Sequence, residues 1–124
     1  MELQRHSDRA PILTTHLQCL HLYPHEDWVD FEERLGGVAS LDPDAQRLAR
    51  WMISGAVEAP IDNQGRMLVP PFLRDRAQLG REVAILGVGK RMEIWNRERL
   101  DADLNGTESR FNEISAELAP KLRT

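Results

Sequence analysis

The 124-residue sequence predicts an α+β fold in which short strands pair as hairpins and helices lie between them and after them. Two observations carry that expectation. Short alternating apolar runs bounded by Pro, Gly, Asp and Asn read as strands and turns. Longer stretches with apolar residues three and four apart read as helices.

Along the chain, residues 11–15 and 19–23 form the first pair of runs. In the second, Leu20 and Leu22 alternate with Cys19, His21 and Tyr23, the pattern of a half-buried strand. Pro24 ends it and suits a helix start. Trp28, Phe31 and Leu35 then share one helical face, and Gly36-Gly37 is expected to stop that helix. Asp42 followed by Pro43 marks an N-cap and first turn, with Leu48, Trp51 and Met52 as the apolar side, ending near Ser54-Gly55.

Residues 56–61 and 66–69 read as strands flanking the turn Asp62-Asn63-Gln64-Gly65. Pro70-Pro71 opens a short helix over 72–78 that ends near Gly80. The continuous apolar run 83–88 predicts a strand buried on both faces. Gly87, Gly89 and Lys90 supply a hairpin turn into an alternating strand at 92–95. A short helix over 97–104 follows, then a weaker helical stretch at 109–118 ended by Pro120, expected as a mobile or partner-docked tail. The expected core contains Leu20, Leu22, Trp28, Phe31, Trp51, Ile85, Leu86 and Ile94.

Sliding the chain by 72 residues sets Leu13 on Ile85, Leu20 on Met92, Leu22 on Ile94, Tyr23 on Trp95 and Trp28 on Leu100. Each half would be strand, turn, strand and helix. The copy of the Asp62 to Arg66 turn would fall before Met1, so the chain is expected to begin inside its first repeat.

Composition excludes several function classes. Apolar residues at 41% and charged residues at 29% suit a globular chain, and no apolar run approaches a membrane span of about 20 residues. The first ten residues lack the apolar core of a signal peptide. A lone Cys19 gives no intrachain disulfide, and a cytosolic protein is the default. The net charge is −4, yet residues 62–99 hold eight basic against five acidic side chains, +3, leaving −7 elsewhere. That asymmetry permits a local anionic partner.

Gly87-Val88-Gly89-Lys90 is no phosphate loop, because Ala84 stands where a glycine is required and Arg91 where Ser or Thr binds the metal. His21 and His25 are four apart, but Pro24 interrupts them and no zinc scaffold follows. Cys19 has no adjacent histidine in sequence and reads as a small buried hydrophobe. No nucleophile, base and oxyanion donor assemble. An enzyme is not expected, nor a cofactor or metal.

Asp62, Gly65, Arg66, Pro70, Leu73, Arg74, Ala77, Leu79, Gly87 and Trp95 together resemble the repeat unit of the MraZ family: Asp-x-x-Gly-Arg, an apolar strand ending in Pro, Leu-Arg, a hairpin, and Trp before a helix. The segments 19–35 and 41–56 are similar to that family's first hairpin and its two inter-repeat helices. The resemblance implies a pseudo-twofold swapped-hairpin β-barrel, shared with AbrB-like regulators, with two inter-repeat helices. Its units would be a shortened first repeat plus helices at 1–55, a complete second repeat at 56–104 and a tail at 105–124. It further implies a ring-shaped homo-oligomer that binds double-stranded promoter DNA of a bacterial cell-division and cell-wall gene cluster. Cytoplasmic, nucleoid-associated placement without a membrane follows from that. Family members offer two Asp-x-x-Gly-Arg loops, whereas this sequence offers one.

Arg66 is the foremost DNA-binding candidate, since a guanidinium on a rigid turn can bond bidentately to guanine or phosphate. Gly65 would close the turn with positive φ, Asp62 would accept its N–H groups, and Arg74 is the phosphate candidate on the next helix. Arg76 is expected to be merely solvated. The alternative is that Asp62 and Arg66 pair only to hold the turn, leaving a protein-interaction or scaffold module.

Overall fold

A computed structural model describes residues 9–122. The reading of the extreme N-terminus falls largely on residues 1–8, outside the described residues. Ten elements follow one another: β1 (Ile12–Thr15), β2 (Leu20–Tyr23), α1 (His25–Ala39), α2 (Pro43–Ile53), β3 (Val57–Glu58), α3 (Pro71–Arg76), β4 (Val83–Val88), β5 (Arg91–Asn96), α4 (Arg97–Ser109) and α5 (Phe111–Leu122). The strands make one antiparallel sheet in the order β3-β1-β2-β5-β4. Helices and an antiparallel sheet make the fold α+β. The expected barrel is not closed: among the described residues β3 and β4 are the two edges and do not pair.

The 72-residue spacing reappears as strand register. Leu13 pairs with Leu22 and Thr15 with Leu20, while Ile85 pairs with Ile94 and Gly87 with Met92. The helices α1 and α4, starting at His25 and Arg97, keep the same offset. Between the hairpins, Leu20 meets Ile94, Leu22 meets Met92, and His21 faces Glu93 at the centre of the array. A pseudo-twofold axis therefore passes through the His21–Glu93 pair.

Alternation gives the sheet two faces. On one, Ile12, Trp28 and Met52 pack with Tyr23 and Phe31, and the offset images Ala84, Trp95 and Leu100 pack with Cys19 and Leu86. On the other, Leu13, Leu20, Leu22 and Ile94 pack with Leu73 of α3, Ala77 at its C-terminal cap, and Ala59. Thr14 Oγ1 donates to the Met52 carbonyl (2.5 Å), tying the end of α2 to β1.

Several expectations are corrected. Trp51 and Ile85 are exposed rather than core, and Leu48 is exposed as well; Met52 is the residue that α2 buries. Phe31 and Leu86 are half-buried. The strand 83–88 is not buried on both faces, because β4 is a sheet edge and only its Ala84 side lies under α4 and β5 neighbours. Conversely β2 is almost wholly buried rather than half-buried, including His21, since helices cover the face that carries it. Gly36-Gly37 does not stop α1, which runs to Ala39; a helical glycine costs only about 1 kcal/mol, and the chain turns at Ser40 before the Asp42 cap.

The strands expected at 56–61 and 66–69 shrink to Val57–Glu58 and a single Ile61–Met67 bridge. Pro60 has no N–H for the ladder, and Pro70-Pro71 redirect the chain. Gly87 lies inside β4, so the turn is Gly89-Lys90 alone, with Gly89 at φ +62. The helix starting at 97 extends to Ser109, and Pro120 lies inside α5 rather than ending it.

Candidate nucleic-acid interface

The turn between β3 and α3 is built around one carboxylate. Asp62 Oδ1 accepts from the N–H groups of Gln64 (2.9 Å) and Arg66 (2.8 Å). The backbone closes the same ring: Asp62 N–H donates to the Arg66 carbonyl (2.9 Å) and Gly65 N–H to the Asp62 carbonyl (3.0 Å). Gly65 sits at φ +78, a conformation that a side chain would strain. The Arg66 N–H bond above all, aided by Gln64 and the Arg66 side chain, holds the Asp62 carboxyl below its ordinary value.

Arg66 Nε donates to Asp62 Oδ2 (3.0 Å), so these two residues do pair. The pair is nonetheless a surface feature, with the Arg66 side chain 75% exposed. The bond uses Nε, and the two terminal nitrogens remain as chemical donors for an anion or a base edge.

Arg74 occupies the last turn of α3, exposed, while Leu73 and Ala77 anchor that helix in the core. Gly65, Arg74 and Arg81 are among the residues that line an open groove of about 620 Å³. Much of its lining is apolar, Leu22, Met92 and Ile85 included. Asp62, Gly65 and Arg66 are thus gathered in one turn, and Arg74 lines the same groove as Gly65.

Arg76 is corrected from a merely solvated residue. Its guanidinium lies 4.4 Å from the Trp51 ring centroid and 5.9 Å from that of Phe72, and Nη1 donates to the Trp51 carbonyl (3.5 Å). Trp51, exposed on α2, offers its ring as this stacking surface. No periodicity argument anticipates that pairing, since it joins residues 25 apart. The Gly87–Lys90 segment is a tight hairpin end, Val88 pairing with Arg91 across two residues, with no phosphate-cradling loop.

A family model described as MraZ protein, antitoxin-like, matches residues 52–119, more than half of the chain. Three curated relatives each carry the name Transcriptional regulator MraZ. That of Syntrophobacter fumaroxidans is 37% identical over 90% of this chain and 75% of its own length. That of Heliobacterium modesticaldum is 43% identical over 84% and 70%. A third, from Carboxydothermus hydrogenoformans, is 37% identical over 81% and 70%. The shared extent takes in both hairpins' connecting helices and the Asp62 turn, and on this evidence the chain belongs to the MraZ family.

Proposed function

We propose that the chain is a DNA-binding transcriptional regulator, not an enzyme, acting on promoter DNA of a bacterial cell-division and cell-wall gene cluster. The observation that carries this reading is the exposed turn in which Asp62 holds Arg66 by its backbone N–H and its Nε, next to a groove that Gly65, Arg74 and Arg81 help to line. Relatives over most of the chain carry the name of transcriptional regulators. In this reading Arg66 reads a base edge or phosphate and Arg74 bonds phosphate. Residues 56–104 act as one repeat, 1–55 as the other with the inter-repeat helices, and 105–124 as the tail.

One such loop is a small contact, so several copies must act together, and a homo-oligomer, ring-shaped in the family pattern, supplies them. No helix among the described residues is long and apolar enough to cross a membrane. The exposed Leu68, Val83 and Ile85 favour a second reading, an assembly module that keeps self-association without DNA binding.

A titration of Arg66→Ala against the gene's own upstream DNA separates the two, with melting temperature followed in parallel. Loss of a bidentate contact should cost about 1–3 kcal/mol per loop while melting is nearly unchanged. Arg66→Lys should rescue poorly, since an ammonium lacks the planar fork. Unaltered DNA affinity in Arg66→Ala would favour the assembly module.

A further inference from the structure

Three side chains of metal-ligating type meet at the end of the first hairpin, on residues that the DNA reading does not use. His16 directly follows β1, Cys19 directly precedes β2, and His21 is the second residue of β2. The turn is closed by a bond from the His16 N–H to the Cys19 carbonyl (2.9 Å). It brings the ligand atoms of all three within 4.8 Å of one another. Cys19 and His21 are each 3% exposed, while His16 lies at the surface. The two imidazoles stack face to face, 4.1 Å between centroids and 9° between planes.

We propose that His16, Cys19 and His21 bind one zinc-class transition-metal ion through two imidazole nitrogens and a thiolate. The donor set selects the class, because thiolate with imidazole suits zinc and its neighbours, whereas magnesium and calcium take oxygen. Metal–ligand bonds of about 2.0–2.3 Å in a tetrahedron put ligand atoms roughly 3.5 Å apart. The cluster reaches that by closing about 1 Å, and His16, exposed on a turn, is the member able to move. The fourth position falls to water.

The surroundings already position the buried imidazole as supporting residues do at metal sites. Tyr23 Oη lies 2.8 Å from His21 Nδ1 and Glu93 Oε2 lies 3.4 Å from Nε2, so one contact stays as the support while the other gives way and frees its nitrogen for the ion. Glu93 in turn is held by Trp95 Nε1 (2.9 Å) and by Arg91 (2.8 Å). Arg91 is the charge that opposes a cation here, and its bond to Glu93 offsets it. When the ion binds, the Cys19 S–H proton leaves to solvent and the sulfur–metal bond replaces it. An ion so held joins the exposed turn to the buried seam between the hairpins.

The test uses the full chain, stripped with chelator and titrated with Co²⁺, then with Zn²⁺ in competition. One Co²⁺ per chain should bind with a thiolate-to-cobalt charge-transfer band and the visible bands of four-coordination, and Zn²⁺ should abolish both. His16→Ala, which removes only an exposed side chain and whose fold is checked by circular dichroism, should weaken binding at least about tenfold. His25→Ala should bind as the parent does. Cys19→Ser should lose the charge-transfer band. Absence of that band in excess Co²⁺, or equal affinity in His16→Ala, would overturn the site.

Discussion

The two hairpins share a register residue for residue, but they do not share an environment. Leu13 and Ile85 occupy matching positions, each opposite the matching partner, Leu22 and Ile94. Leu13 is fully buried, whereas Ile85 is 57% exposed. The difference lies in what is laid over them. β3 pairs along β1, and Leu73 of α3 and the capping Ala77 pack in one cluster with Leu13. Along β4 no further strand pairs among the described residues, and Ile85 faces the open groove. The opposite face of the sheet shows the reverse: Trp28 of α1 and Leu100 of α4 occupy matching places and both are buried. Equal backbone pairing therefore does not confer equal burial. Tertiary cover decides it.

That comparison is most sharply tested by paired truncations. Leu13→Ala should cost about 2–5 kcal/mol in urea unfolding, as removal of a fully buried leucine does. Ile85→Ala should stay within about 0.5 kcal/mol. Equal losses would mean that another copy covers the β4 edge in solution, and dilution should then separate the two variants again.

The helix starts give a middle-sized contrast. Asn96 caps α4 by accepting from the Arg99 N–H (3.1 Å), and its amide also donates to the Gln78 carbonyl (2.6 Å). At the matching position, Pro24 offers α1 no side-chain cap. Asn96→Ala should cost about 1 kcal/mol by thermal unfolding, within the range for lost caps. Pro24→Ala should cost less, because no such bond is lost. A smaller loss for Asn96→Ala than for Pro24→Ala would break the contrast.

The smallest effect concerns acid. A carboxyl whose native value is depressed adds stability that is complete above the unfolded value, about 3.9, and is lost as pH falls through the lowered native value. Asp62 is such a group. Amide exchange at Gln64 and Arg66, whose N–H groups it accepts, should therefore rise locally on acidification below about pH 4, while Leu13 stays protected. Uniform loss of protection would show that the turn has no separate acid response.

Much of this fold is legible in the sequence because its signals are local. The Asp42-Pro43 start of α2, the Gly89 hairpin and the helix-opening position after Pro24 and Asn96 depend on nearest neighbours alone. The offset of 72 residues was readable because apolar positions recur in register even where letters differ. What escaped is non-local. An apolar run such as 83–88 signals a strand but says nothing of whether a second layer lies on it. Trp51 looks like core until Arg76 is seen stacked on it. At the candidate interface, the Asp62, Gly65 and Arg66 turn is visible as a short motif, whereas the groove that Gly65 shares with Arg74 and Arg81 is a product of the fold. The His16, Cys19 and His21 grouping carried a faint signal, two histidines flanking a cysteine across one turn. Neither histidine adjoins Cys19 in sequence, and only the turn brings both to its sulfur.

The central pair has a consequence for symmetry itself. A residue on a twofold axis between two identical chains must meet its own copy, so an exact dimer could only set His against His or Glu against Glu there. Here His21 meets Glu93, with Tyr23 bonded to the first and Trp95 to the second. Carrying both halves on one polypeptide frees that position from self-complementarity. Acid can face base at the point where an assembly of identical parts would be forced to repeat itself.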